Sequence, residues 1–329
     1  MIEFTAITFI RCNQNILQSF IMKYANFIYE YNHFGRYKPT TCNLGDYIQS
    51  LAARQYFPNV DFFVDRDGLS GFRNEFKCKL IANGWYYLFD GCHQWSDCLE
   101  PLLTSVHINN TDNANEFHNV LDKLKAASQK SPIGCRDFAT QRFLQSNGIA
   151  CFFSSCLTTT LQRKDYSDGR DRSGVIFSDC SNDFYSKIFP IDRFINKNRA
   201  INRINALLRN YYAQEAISYV THECQLSVPH RERFELAKAL LQRYANAKLV
   251  ITSRIHAALP CLGLGTPVIL VCPYDQQRFE GLAELLNYIW TDGGKYSISI
   301  DREGKVLNKA DYKIYSDNLR KQCLSFMRE

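Results

Sequence analysis

Short apolar runs and stretches of helical periodicity alternate along almost the whole chain. Glu3 to Arg11 reads as a strand. Ile16, Phe20, Tyr24 and Phe27 fall on one stripe of a helix predicted over Ile16 to Tyr31. A second helix is predicted over Asn43 to Phe57, opened by the turn Cys42-Asn43-Leu44-Gly45-Asp46. Strands follow at Val60 to Val64, Lys79 to Asn83 and Leu102 to Ile108, then a helix over Glu116 to Ala127. A strand over Pro132 to Cys135 leads through Arg136-Asp137 into a helix that stops at Asn147-Gly148, a strong C-terminal pair. Ile149 to Phe153 closes this half.

Gln162 to Ser173 is polar, charged and glycine-bearing, and reads as a linker. After it the pattern restarts. Strands are predicted at Val175 to Ser178, Ala216 to Val220, Lys248 to Thr252 and Pro267 to Cys272. Helices are predicted at Arg199 to Tyr212, Arg231 to Ala245, Ile255 to Leu264, Phe279 to Leu286 and Lys309 to Met327. Two successive β-α series imply an α/β fold of two Rossmann-like lobes, each a parallel sheet covered by helices. The lobes are expected at residues 1–171 and 172–329, with the last helix, 309–327, packing back on the first lobe. Ligands of such sheets bind outside the carboxyl ends of the strands, so an active site is expected in the cleft between the lobes.

Composition narrows the function. The apolar fraction of 46% and charged fraction of 22% are ordinary globular values, which excludes a disordered chain. The formal charge of +6 is modest and its basic residues are scattered, which argues against nucleic acid and suits an anionic substrate. Thirteen cysteines without a CxxC, several inside apolar elements, read as free thiols of a reducing compartment. The first residues show no basic stretch before the apolar run and no small-residue cleavage site, and no run reaches membrane-span length. A cytoplasmic enzyme is the expectation. The segment Asp90 to Cys98 matches no zinc-ligand spacing, and no metal is expected. Gly263-x-Gly265 follows a helix rather than a strand, so it is a helix stop and not a dinucleotide fingerprint.

The most informative segment is Leu249-Val-Ile-Thr-Ser-Arg-Ile-His-Ala, a buried strand running into a helix. Ser253 is read as the N-cap, with Arg254 and His256 in the first turn. A helix amino end bearing an arginine and a histidine suits an anion. The structural alternative is that Arg254 pairs with a carboxylate and His256 with a neighbouring carbonyl. In the first lobe, Asn43, Gly45 and Asp46 open a helix. Gly45 permits close backbone approach, and Asp46 is either a base or a capping residue favoured by the helix dipole. Arg136 sits at a strand end, as a cleft residue or a structural ion pair with Asp137. His107 ends a buried strand, and His222 and His230 flank the loop after another. His107 is read as pointing at the cleft and one of His222 and His230 as a candidate proton donor, each also readable as a packing residue.

The run LVITSRIHAALPCLGLGTPVI resembles the signature of the polysaccharide pyruvyl transferase family, as do NLGDYIQSLAA, CRDFATQRFLQSNGI and ANGWY with SVHI. The resemblance spans roughly residues 40 to 290, in the family's order. It implies a glycosyltransferase-B-like pair of lobes, with the acceptor side in the first and the donor side in the second. It also implies transfer of the enolpyruvyl group of phosphoenolpyruvate to a sugar, forming a pyruvate ketal on a polysaccharide or a lipid-linked precursor. Arg254 and His256 would hold phosphoenolpyruvate, with His256 gripping its phosphate or donating the proton; Asn43, Gly45 and Asp46 would face the cleft, with Asp46 as the base and His230 or His107 as the reserve acid. Many members carry Gly-Asp-Pro after the last strand of the first lobe, where this chain has Ser154-Ser155-Cys156-Leu157. No separate cofactor is implied. A lipid-linked acceptor would bring transient contact with a membrane surface. The rival readings are a nucleotide-sugar glycosyltransferase on the same fold and a non-catalytic glycan-binding protein.

Overall fold

The computed structural model describes residues 22–31, 39–87, 95–109, 118–180, 200, 202–272, 277–290 and 294–329. Two six-stranded sheets carry the fold. The first is made of β1 (Lys23–Ile28), β3 (Phe62–Asp65), β4 (Cys78–Tyr87), β5 (Leu99–Asn109), β6 (Ile133–Cys135) and β7 (Cys151–Phe153). All its pairings are parallel, in the order β3-β1-β4-β5-β6-β7. The second is made of β8 (Val175–Ser178), β9 (Ile217–Val220), β11 (Leu249–Thr252), β12 (Val268–Cys272), β13 (Asn287–Trp290) and β14 (Tyr296–Ser297). Its order is β14-β13-β12-β11-β8-β9, parallel but for the β13–β14 edge. Counted along each lobe, both sheets place the second strand outside the first and continue on its other side with the third. This is the flavodoxin-like winding of a Rossmann-type sheet. The chain is thus a GT-B-like pair of lobes, with switch points at β1/β4 and β8/β11, whose strand carboxyl ends are where open sheets of this kind take ligands.

A short antiparallel ribbon joins the lobes. β2 (Thr41–Asn43) pairs with β10 (Glu223–Gln225), and the Leu44 amide donates to the His222 carbonyl at 2.7 Å. From this ribbon α1 (Leu44–Arg54) starts, with the Asn43 side chain accepting from the Gly45 amide as N-cap. α1 packs against α4 (His230–Asn246) and α5 (Ile255–Leu264) of the other lobe. Arg233 of α4 donates to the Tyr29 carbonyl at 3.1 Å and the Tyr47 hydroxyl at 2.8 Å, bolting the lobes together. One apolar core runs continuously through both lobes, and a smaller one lies under the second sheet. α2 (His118–Lys130) and α3 (Phe138–Ser146) flank the first sheet. The last helix, α6 (Tyr312–Arg328), crosses to the first lobe. There the Thr104 hydroxyl meets Gln322 at 2.8 Å, and the buried Lys79 ammonium donates to the Phe326 carbonyl at 2.6 Å.

Three expectations from the pattern need correction, and one lies outside the described residues. Part of the helix predicted over Ile16 to Tyr31 is the strand β1, with Ala25, Asn26 and Phe27 all buried. A parallel strand covered on both faces shows a continuous apolar run, which periodicity alone does not tell from a helix. Phe279 to Leu286 is two 3-10 turns, because Gly281 sits at φ +80° and ends the first before a helix can propagate. Ser253 is not the N-cap of α5. Arg254 holds the capping position, and the Ser253 hydroxyl donates to the Asp179 carbonyl at 2.8 Å. The strand read over Glu3 to Arg11 falls outside the described residues.

α5 docks on the turn at Leu157–Thr160 that leads from one lobe to the other. A Cβ at Gly263 would lie 2.5 Å from the Thr159 carbonyl oxygen and 2.6 Å from that of Leu161. Gly263→Ala is therefore expected to destabilise the protein by about 1–3 kcal/mol, since backbone must move to admit the methyl group. Urea unfolding checks it, and an unchanged midpoint would mean that the α5 dock is looser than described.

Candidate active site

α1 and α5 bring their amino ends together. A Cβ at Gly45 would meet the Cβ of His256 at 3.0 Å and Nδ1 of His222 at 3.3 Å, so only glycine lets the two helices approach this closely. Into the same place β6 delivers Arg136. Its Nη1 donates to Nε2 of His256 at 3.3 Å and to Oε1 of Gln49, on α1, at 3.4 Å. The Arg136 side chain is 2% exposed, its Nε has no hydrogen-bond partner, and among the described residues no carboxylate pairs with it. A buried cation is costly in this state unless an anion compensates it.

The switch point of the second lobe supplies further charge. The Arg254 amide donates to the Thr252 hydroxyl at 2.9 Å, which fixes the turn out of β11. Its guanidinium pairs with Asp179 at 3.0 Å and Glu223 at 3.2 Å and remains partly exposed. Arg254 thus has carboxylate partners, as in its structural alternative, and it stands just past the carboxyl end of β11. Asp179 sits at φ +52° just past β8 and also accepts from the His222 amide at 2.9 Å. Arg278 is close enough that Arg136 and Arg254, after burial itself, hold its pKa down.

The imidazoles of this cluster are kept neutral. Burial, then the charge of Arg136, pushes His256 well below its ordinary value. Burial brings His222 down to about 4, with Nε2 bonded to the Tyr244 hydroxyl at 2.8 Å and Nδ1 unpartnered. Burial also lowers His107, although Asp137 opposes it. His107 Nδ1 lies 2.6 Å from Asp137 Oδ2, and Asp137 also caps α3 through the Thr140 amide at 2.9 Å. Burial tends to raise Asp137, but the bond to His107 and the nearby Arg136 outweigh it and hold the carboxyl low. Arg136 and Asp137 are consequently not a mutual ion pair: each serves a different histidine.

Asp46 faces the same region from the first turn of α1. Tyr31 donates to it at 2.7 Å and Gln49 at 3.1 Å. Burial raises its pKa despite the nearby Arg66 guanidinium, which favours a carboxylate able to take a proton. Arg66 itself is paired with Asp67 at 2.8 Å and stacked on Tyr29 at 5.1 Å. His230 is elsewhere engaged: Nδ1 meets the Tyr47 hydroxyl at 2.7 Å and Nε2 meets Glu30 at 2.8 Å. It joins the lobes rather than the Arg136–His256 cluster. The residues that reasoning from sequence passed over are Asp179, Arg278, Gln49 and Tyr31. Asp179 follows a strand carboxyl end, the one signal that could have singled it out. No group of three His, Cys, Asp or Glu side chains among the described residues could hold a metal ion. No helix among them is long and apolar enough to cross a membrane.

A family model for polysaccharide pyruvyl transferases matches residues 43–276, from the N-cap of α1 to just past β12. The chain belongs to this family. The match contains every element that builds the cluster except Arg278, Tyr31 and the strand before it. Comparison with curated proteins finds no match. Among solved structures, the glycosyl transferase family 9 protein of Veillonella parvula DSM 2008 is similar at 11% identity, over 94% of this chain and 97% of its own, with a TM-score of 0.29.

Two outcomes follow from the burial of charge. Arg136→Met removes a buried cation with no carboxylate against it, so urea unfolding of the unliganded protein should show stability unchanged or raised. A loss above about 2 kcal/mol would mean that Arg136 is a structural residue. The second concerns pH. His222, His256 and His107 stay neutral in the fold, whereas unfolded imidazoles titrate near 6.5. Below about pH 6.5 the unfolded state therefore binds more protons, and stability is lost as pH falls towards about 4. Urea midpoints flat between neutral pH and this window would sink the assignment of neutral buried imidazoles.

Proposed function

We propose that this family member moves the enolpyruvyl group of phosphoenolpyruvate onto a sugar of a polysaccharide or its precursor, leaving a pyruvate ketal. The observation that carries the reading is Arg136, a buried guanidinium without a carboxylate, set against His256 where two helix amino ends meet. Phosphoenolpyruvate brings a phosphate and a carboxylate, two anions for a site with Arg136, Arg254 and Arg278 nearby.

The chemistry asks for three things. A proton must reach the methylene carbon of the enol, which becomes a methyl group and leaves an oxocarbenium-like centre at the next carbon. One sugar hydroxyl adds there and gives up its proton, and phosphate departs with its bridging oxygen. A second hydroxyl then closes the ketal and loses its proton in turn. Arg136, Arg254 and the first-turn amides of α5 take the role of the anionic grip and favour the departing phosphate. Asp46, its proton affinity raised by burial, takes the role of base for the sugar hydroxyl. His107, oriented by Asp137, and His256 are the acids: a dianionic phosphate beside them raises their proton affinity and recharges an imidazole that is neutral in the free protein. No proton transfer is assigned to His230, whose two ring nitrogens are already bonded.

Thermal unfolding with phosphoenolpyruvate, compared with a panel of nucleotide sugars, tests the donor. Phosphoenolpyruvate at a hundredfold excess over its Kd should add about 2.7 kcal/mol of stability. The gain should vanish in Arg136→Met and in Arg254→Ala, both still folded. Stabilisation by a nucleotide sugar alone would overturn the proposal and make the chain a glycosyltransferase.

A further inference from the structure

A basic groove lies on the opposite edge of the second lobe. Arg254 and Asp179 lie at the carboxyl ends of β11 and β8, whereas Arg172, Lys248 and Pro267 stand at the amino ends of β8, β11 and β12. There a cavity of about 560 Å3 is lined six to one by basic over acidic side chains, Asp171 being the acid. A neighbouring cavity of about 420 Å3 is lined four to one, with Asp317 the acid. Arg163, Tyr312 and Lys313 line both, so the two form one groove between the linker and the start of α6.

Part of this charge is spent within the fold. Lys248 pairs with Glu215, Arg320 lies 3.6 Å from Asp317, and Arg172 donates to the carbonyl of Leu264 at 2.7 Å and that of Ala245 at 3.0 Å. The rest is not. Lys164, Lys305 and Lys313 are exposed and make no ion pair among the described residues. Three like charges left open around a concave surface, with the Tyr211 and Tyr312 side chains in its walls, form a positive trough that attracts a chain of spaced negative charges. A bilayer offers charge on a flat surface, to which a groove is poorly matched.

We infer that this groove binds a carboxylate-bearing glycan chain. The choice of glycan rests on the proposed reaction, because each pyruvate ketal leaves one free carboxylate on the sugar that receives it. The product is then more acidic than the acceptor, and the groove holds the modified stretch of polymer away from the cleft that modified it.

The probe is an oligogalacturonate, a carboxylated sugar chain, with a maltodextrin of equal length as the uncharged control and phosphatidylglycerol vesicles as the membrane arm. Binding is measured by titration calorimetry at low salt, on the wild type and on a Lys164→Ala, Lys305→Ala, Lys313→Ala triple variant. The wild type should bind the uronate and not the maltodextrin. The triple variant should bind it roughly tenfold more weakly, since each exposed charge pair is worth only a fraction of a decade. Its melting temperature and its response to phosphoenolpyruvate should be unchanged. Equal uronate affinity in variant and wild type would overturn the groove, as would variant-sensitive binding of vesicles with none of the uronate. Uronate binding that depends on the three lysines, in a protein that phosphoenolpyruvate does not stabilise, would support the groove and count against the pyruvyl reading alone.

Discussion

The second residue of α1, Gly45, lies against the second residue of α5, His256, so the amino ends of two helices face one small volume. Each helix end carries partial positive charge and backbone N–H groups without intrahelical partners. Placing two of them together is unfavourable, and adding Arg136 makes it more so. The fold offsets part of this with Asp46 in the first turn of α1 and keeps the imidazoles of His222 and His256 uncharged. What remains is positive potential that an anionic ligand would relieve. The rest of the cluster follows from that constraint. Arg254 is held by Asp179 and Glu223, and His107 is paired with its own carboxylate.

Backbone strain sits at the same place. Tyr31 and Asp179 occupy the left-handed region, at φ +57° and +52°, although neither is glycine. Tyr31 closes β1 and hands its hydroxyl to Asp46, and Asp179 closes β8 and hands its carboxylate to Arg254. Each lies where its strand runs out at a switch point. A residue held in a costly conformation persists when its surroundings over-determine it, and these two orient the charged groups on either side of the cleft.

How much of this was legible in the sequence depends on the length scale of each signal. Asn43-Leu44-Gly45-Asp46 announces its helix locally through the capping Asn43, and Thr252-Ser253-Arg254 through the buried strand just before it, although Ser253 is not its cap. The general rule for open sheets then puts both at a cleft. Arg136 meeting His256 is different, because 120 residues separate them and only the meeting of the lobes makes the contact. That meeting depends on the ribbon of β2 and β10, whose three-residue strands are too short to leave a period. β1 was misread for the opposite reason: burial on both faces erased the alternation that marks a strand. His230 looked like Arg136 in the sequence, a polar residue at an element end, and only its partners Tyr47 and Glu30 show that it was recruited to hold the lobes.

The continuity of the core bears on how such a site can work. In many two-lobed proteins the lobes are joined by a wet, polar interface and swing by default. Here the apolar core passes from one lobe into the other, α1 lies on α4 and α5, Nη1 of Arg233 donates across the boundary, and α6 straps the second lobe to the first. A large rotation would break all of these at once. The Arg136–His256 contact must then exist before any ligand arrives, and the protein keeps its charged groups in place at a standing cost in stability. Preorganised charge of this kind needs no rearrangement when a bond breaks, which is the condition under which electrostatic catalysis is most effective.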